Sequence, residues 1–107
     1  MLAIVLLSLS SGCSQHDDYM DQGQLAYQQG SYDSAISYFS KAVTDAPAGQ
    51  EMTEGLRSLS KAYQAAGKGE EAATTLARAM EVMRFCLENT VTSTLDRNYC
   101  PIPPWEE

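Results

Sequence analysis

The side chains that could do chemistry are few: one histidine, His16; three cysteines, Cys13, Cys86 and Cys100; and two acidic pairs, Asp17 with Asp18 and Glu70 with Glu71. A Ser-His-Asp or Cys-His set needs an imidazole beside its nucleophile. His16 is the sole imidazole and stands near the front of the chain, which makes a poor start for such a set. There is no CxxC, no Cys and His at zinc spacing and no glycine-rich phosphate loop. Paired carboxylates can hydrolyse a glycoside, but both acidic pairs fall at predicted helix starts, where negative charge meets the positive end of the helix dipole. Met80 and Met83 are read as core filler rather than a ligand patch. The inventory points away from an enzyme: no catalytic residue, metal ligand or cofactor is expected.

Composition narrows the class further. The 107 residues make one domain's worth of chain, with 44% hydrophobic and 20% charged residues, as expected of a globular protein. Fourteen acidic against seven basic side chains give a net charge of -7. A nucleic-acid binder needs a basic stripe to displace counterions from phosphate, so no nucleic-acid partner is expected.

Cys13 has a different context from the other two cysteines. Leu2 to Leu9 is apolar apart from Ser8, and is shorter than the roughly 20 residues that span a bilayer as a helix. It runs into Ser10, Ser11, Gly12 and Cys13, and the polar stretch Ser14 to Asp18 follows at once. An apolar run closed by small residues is the pattern of an export signal. This junction resembles the lipobox of bacterial lipoproteins, although Ser10 stands where Leu is usual and no Lys or Arg precedes the run. The resemblance implies a signal peptide over 1–12, a covalent lipid on Cys13, a lipidated linker over 13–16 and attachment to the membrane. Ser14 in place of Asp implies the outer membrane, facing the periplasm.

Behind the linker, apolar and small residues recur at helical spacing. Tyr19, Gly23 and Ala26 fall in one helix, and Ala35, Phe39, Ala42 and Val43 in the next. Gly30 supplies the turn between them, because glycine accepts the left-handed backbone that ends a helix. Asp17 and Asp18 suit the first turn, and Pro47 stops the second helix or opens the next. The pattern returns 37 residues on: Gly30 maps to Gly67, Ala35 to Ala72, Phe39 to Leu76 and Ala42 to Ala79.

Tyr19, Gly23, Gly30, Tyr32, Ala35, Phe39, Ala42 and Pro47 stand at offsets that resemble the tetratricopeptide repeat. Ala26 occupies the place where Tyr is usual. The second copy carries Leu56, Leu59 and Tyr63 in its first helix and matches better. The family's period is about 34 residues; the three extra residues here amount to nearly one helical turn, which a helix starting near Ala48 would absorb. The resemblance implies an all-α fold: two helix-turn-helix repeats, over 17–49 and 50–88, forming a short right-handed solenoid with a C-terminal cap and Pro-rich tail over 89–107. The last helix is expected to run to about Leu87. Two repeats are fewer than the three or so that usually bury enough surface, so another stabilising device is expected.

Cys86 and Cys100 supply a candidate for it. With Cys13 carrying lipid they form an even pair in an oxidising compartment, and a bridge would close a loop of about 15 residues. The alternative is two reduced thiols. Between them, Val91 and Leu95 have helical spacing in a Thr-rich context, which predicts a short terminal helix or turn over the edge of the second repeat. The run PIPPW is expected to be extended, with Trp105 packed back as a cap or, alternatively, presented to a partner.

In the resembled family the first helices of successive repeats line a concave face. Carried onto this chain, the groove positions are Met20, Gln24, Tyr27 and Gln28, then Glu54, Arg57, Lys61 and Gln64. Arg57 and Lys61 stand one turn apart and make a small basic spot suited to a carboxylate. The family's carboxylate clamp is not matched. The resemblance implies a lipid-anchored periplasmic adapter that binds a segment of an envelope protein in secretion, pilus or cell-wall assembly. The alternative is a structural subunit of a larger envelope complex without an exchangeable ligand. The oligomeric state is left open.

Overall fold

Four helices in succession build the body of the computed structural model, which describes residues 15–89, 91–93 and 97–106. The apolar run, Cys13 and its proposed lipid therefore lie outside the described residues. Helix α1 spans Gln15–Gln28, α2 Tyr32–Thr44, α3 Gly49–Ala65 and α4 Gly69–Asn89. The fold is all-α in its body, with α1 and α2 forming the first repeat and α3 and α4 the second.

The two turns are built alike. Gly30 has φ 79° and Gly67 φ 81°. At the first, the N–H of Gly30 donates to Tyr27 O and that of Ser31 to Ala26 O, at 3.0 and 2.9 Å. At the second, Gly67 donates to Gln64 O and Lys68 to Tyr63 O, at 3.1 and 2.9 Å. Each pair is a Schellman motif, which closes the last orphan carbonyls of a helix and needs a left-handed residue at its centre. The two copies thus agree in hydrogen bonding as well as in residue type.

The core forms in two parts joined through α2 and α3. Ala26, Ala35, Phe39, Leu59 and Ala62 pack between α1, α2 and α3. Val43, Met52, Leu56, Ala79 and Val82 pack between α2, α3 and α4. Small residues set the spacing: Ala35, Ala42, Ala62 and Ala79 are fully buried, which lets the helix backbones approach. Burying a side chain the size of Leu56 or Phe39 contributes about 2–3 kcal/mol. Helix α3 begins right after Ala48, which is extended, and α4 continues to Asn89, so both helices have the extents the sequence predicts.

The equivalence of the copies breaks at one place. Phe39 is buried against Gly23, where an added Cβ would lie 2.6 Å from the ring. At the matching offsets the second copy has Ser60, whose hydroxyl donates to Ala72 O at 2.8 Å, and Leu76, which is 45% exposed. Met80 and Met83, expected as core filler, are exposed as well, and so is Leu87. They share a stripe of α4 with Leu76. Helical periodicity marked that stripe as apolar, but among the described residues it is left exposed.

The tail corrects a second expectation. In place of the expected short terminal helix or turn, β1 (Val91–Ser93) and β2 (Arg97–Tyr99) form an antiparallel ribbon, with Val91 opposite Tyr99 and Ser93 opposite Arg97. Leu95 lies outside the described residues. β-branched residues such as Val91 and Thr92 fit a pleated ribbon better than a helix. The ribbon turns the chain back so that Cys100 meets Cys86, with Cα atoms 5.2 Å apart, and the two are bridged. Cys100 and Pro103 are fully buried. Residues 101–103 are irregular and a 3-10 turn covers Pro104–Glu106, so the Pro-rich run is not extended through Trp105 as expected. Arg78 of α4 clasps Glu106 through Nε, at 3.0 and 2.9 Å to the two carboxylate oxygens. This hydrogen bond raises the guanidinium's pKa against the opposing effect of burial. Trp105 rests edge-on against Phe85, with centroids 5.3 Å apart, yet is 56% exposed.

Candidate partner-binding groove

Helix α2 lies between α1 and α3 in the sequence and packs extensively on both, whereas α1 and α3 touch each other only lightly. The surface between the two first helices is thereby left open. Gln24 and Tyr27 of α1 and Ser58 and Lys61 of α3 line a recess there, with the ring of Phe39 beneath. Its volume of about 30 Å³ is room for about two waters. The recess is a notch that can seat one polar group of a bound segment, and it cannot enclose a small molecule.

Three of the eight groove positions drawn from the sequence thus line one recess. Tyr27 is held there by an edge-to-face contact with Tyr32, centroids 5.4 Å apart. Arg57 is exposed one turn before Lys61, but lines a separate hollow of about 310 Å³ along the first half of α3. Gln50, Glu51, Thr53 and Glu54 form the rest of that hollow. The two cations therefore face different surroundings: Lys61 sits among neutral polar groups, Arg57 beside two carboxylates. Gln28 and Gln64 are exposed near the turns. Met20 is half-buried and packs against the core beside Phe39. Ser58, which the sequence reading passed over, stands three residues before Lys61 on the same face, a spacing that would have found it.

His16 has a structural place. It is fully buried, and its Nδ1–H donates to Ala42 O at 2.9 Å, tying the start of α1 to the end of α2. Its Nε2 lies 3.7 Å from a Glu54 carboxylate oxygen. Among the described residues, no three His, Cys, Asp or Glu side chains are grouped to hold a metal, and no helix is long and apolar enough to cross a membrane. Glu70 and Glu71 lie in the first turn of α4, and Asp17 and Asp18 in that of α1, as their helix-start reading requires.

The Schellman turns, the buried alanines and the two-by-two stacking all follow one repeat plan, and comparison of the chain with protein families agrees. The model of the tetratricopeptide repeat matches residues 26–86, more than half of the chain. The protein belongs to the tetratricopeptide repeat family. No match was found among curated proteins or among solved structures. The match begins at Ala26, in the last turn of α1, at the position where the repeat usually has Tyr. Tetratricopeptide repeats are in general non-catalytic units of protein interaction, and this chain carries such a module for a protein partner.

Proposed function

We propose that the protein is a lipid-anchored adapter of the bacterial cell envelope, attached through Cys13 to the outer membrane and facing the periplasm. Between α1 and α3 its repeats grip a segment of an envelope protein that works in secretion, pilus or cell-wall assembly. The observation that carries this reading is the shared recess of Gln24, Tyr27 and Lys61 between the first helices of the two repeats. The bridge between Cys86 and Cys100 suits an oxidising compartment. The run into Ser10, Ser11, Gly12 and Cys13 supports the anchor.

The mechanism is tethering, with no bond made or broken. Lys61 pairs with a carboxylate or carbonyl of the bound segment, and Gln24 and Tyr27 hydrogen-bond its backbone. Helix α1 begins at Gln15, two residues after Cys13, so a lipid there holds the groove close to one membrane face and raises the local concentration of its partner.

Photo-crosslinking from position 27 in the native envelope is the test. A discrete adduct that disappears in Lys61→Glu supports the adapter; a smear that ignores the substitution overturns it. Labelled fatty acid should enter the wild type and not Cys13→Ala. A purified protein that aggregates or unfolds without its neighbours would favour the alternative, a structural subunit.

A further inference from the structure

A second recess lies away from the groove, between α4 and the tail. It measures about 360 Å³ and is lined by Glu81, Arg84, Phe85, Glu88 and Trp105. That volume falls in the range of ligand sites, about 300–1,000 Å³. The way Trp105 reaches it is informative. The tail is fastened by the bridge from Cys100 to Cys86, by the burial of Pro103 and by the clasp of Glu106 on Arg78. Trp105 itself, in the middle of this strap, leaves more than half of its surface open. A capping tryptophan would be covered. This one is braced on both sides and presented as a wall.

The chemistry of the wall selects a cation. The faces of aromatic rings carry negative quadrupole density and attract guanidinium groups. Glu81 and Glu88, two helical turns apart, add two carboxylates, and Arg84 between them offsets one. Among the described residues, neither glutamate is within ion-pair distance of a cation. A guanidinium meets both demands, because it is planar for stacking and forked for a carboxylate. On the adjoining strip of α4, Met80, Met83 and Leu87 are 59%, 40% and 81% exposed. A lone cation would leave that strip wet. A second copy of the chain is disfavoured, since each copy has net charge -7 and would bring the same acidic rim.

We propose that this recess is a second docking site, for an amphipathic, arginine-bearing segment of a partner protein. The arginine stacks in the recess on Trp105 between the glutamates, and the segment's apolar residues cover Met83 and Leu87. The site is independent of the groove between α1 and α3, so failure of either leaves the other standing.

Trp105 is the only tryptophan, so its fluorescence reports occupancy directly. The probe is a synthetic leucine-rich amphipathic helix with one central arginine, titrated into the full oxidised protein. A second peptide carries citrulline, the neutral isostere, in its place. Saturable binding is expected, about tenfold weaker for citrulline. The variant Glu81→Gln with Glu88→Gln should weaken the arginine peptide by a similar factor while melting like the wild type, and Arg84→Gln should tighten it. Equal affinity for the two peptides, or weaker binding by Arg84→Gln, overturns the proposal. So does a protein that dimerises through this face and becomes monomeric in Leu87→Glu, because the occupant is then a second copy.

Discussion

The backbone N–H of Gly49, the first residue of α3, donates to the carbonyl of Cys100 at 2.7 Å, and a Cβ added to Gly49 would lie 2.5 Å from the Cys100 sulfur. The same Cβ would be 2.6 Å from the Cys86 sulfur. The bridge is thus seated on the start of α3, at a residue without a side chain, and locks the end of α4 to a helix that contributes to both halves of the core. Gln50 extends the contact by accepting the Cys100 N–H at 3.2 Å.

Gly49→Ala should therefore be costly. Overpacking of this kind typically costs about 1–3 kcal/mol. Gly69→Ala, at the start of α4, meets nothing within 4 Å and should be neutral or slightly stabilising through helix propensity. Paired thermal melts of the two variants check the contrast. Equal losses would mean that the bridge does not sit where α3 begins.

Reducing the bridge removes a constraint on the unfolded chain. Closing a loop of about this length contributes about 3 kcal/mol, and the separation here is 14 residues. The double variant Cys86→Ser with Cys100→Ser should lose stability of that order in denaturant unfolding. Mass measurement before and after reduction and alkylation should show two thiols appearing only on reduction.

The clasp of Arg78 on Glu106 should be worth less, because the Arg78 side chain is 43% exposed and its charge is partly screened, even though that of Glu106 is 7% exposed. Glu106→Gln should cost at most about 1 kcal/mol. Pairing raises the Arg78 pKa, so its contribution is fully present below the unfolded value and fades only as pH rises through the folded one. The stability difference between wild type and Glu106→Gln should therefore not change through Arg78 between about pH 7 and about pH 10.

What was legible in the sequence had a steric cause tied to residue type. Gly30 and Gly67 could be assigned to turns because few other residues accept a positive φ, and Ala35, Ala42 and Ala79 to helix contacts because larger side chains would part the helices. The exposure of Met80 and Met83 was not legible, since periodicity marks a face as apolar without saying whether a neighbour covers it. The ribbon escaped because three-residue strands are too short to show alternation. In the groove, Gln24, Tyr27 and Lys61 could be placed by their offset in the repeat. Glu54, three residues before Arg57, was legible as its neighbour by helical spacing, but that Arg57 and Lys61 line separate hollows was not. The recess at Trp105 depends on the chain turning back through Cys100, a long-range contact that local patterns do not carry.

The two repeats offer each other's sequence as an experiment. Gly23 and Phe39 in the first correspond to Ser60 and Leu76 in the second: Phe39 is packed on Gly23, whereas Ser60 donates to Ala72 O and Leu76 is 45% exposed. Gly23→Ser alone drives a Cβ into the Phe39 ring and should cost about 2 kcal/mol. Phe39→Leu alone opens a cavity over Gly23 and should cost about 1–2 kcal/mol. Together they carry the second repeat's residue pair into the first, with the new hydroxyl placed to donate to Ala35 O as Ser60 donates to Ala72 O and the smaller Leu leaving room for the added Cβ. The double variant should then be more stable than the sum of the single losses predicts, by at least about 1 kcal/mol of coupling. Chemical denaturation of the four proteins measures this directly. Strict additivity would show that Gly23 and Phe39 do not compete for the same space.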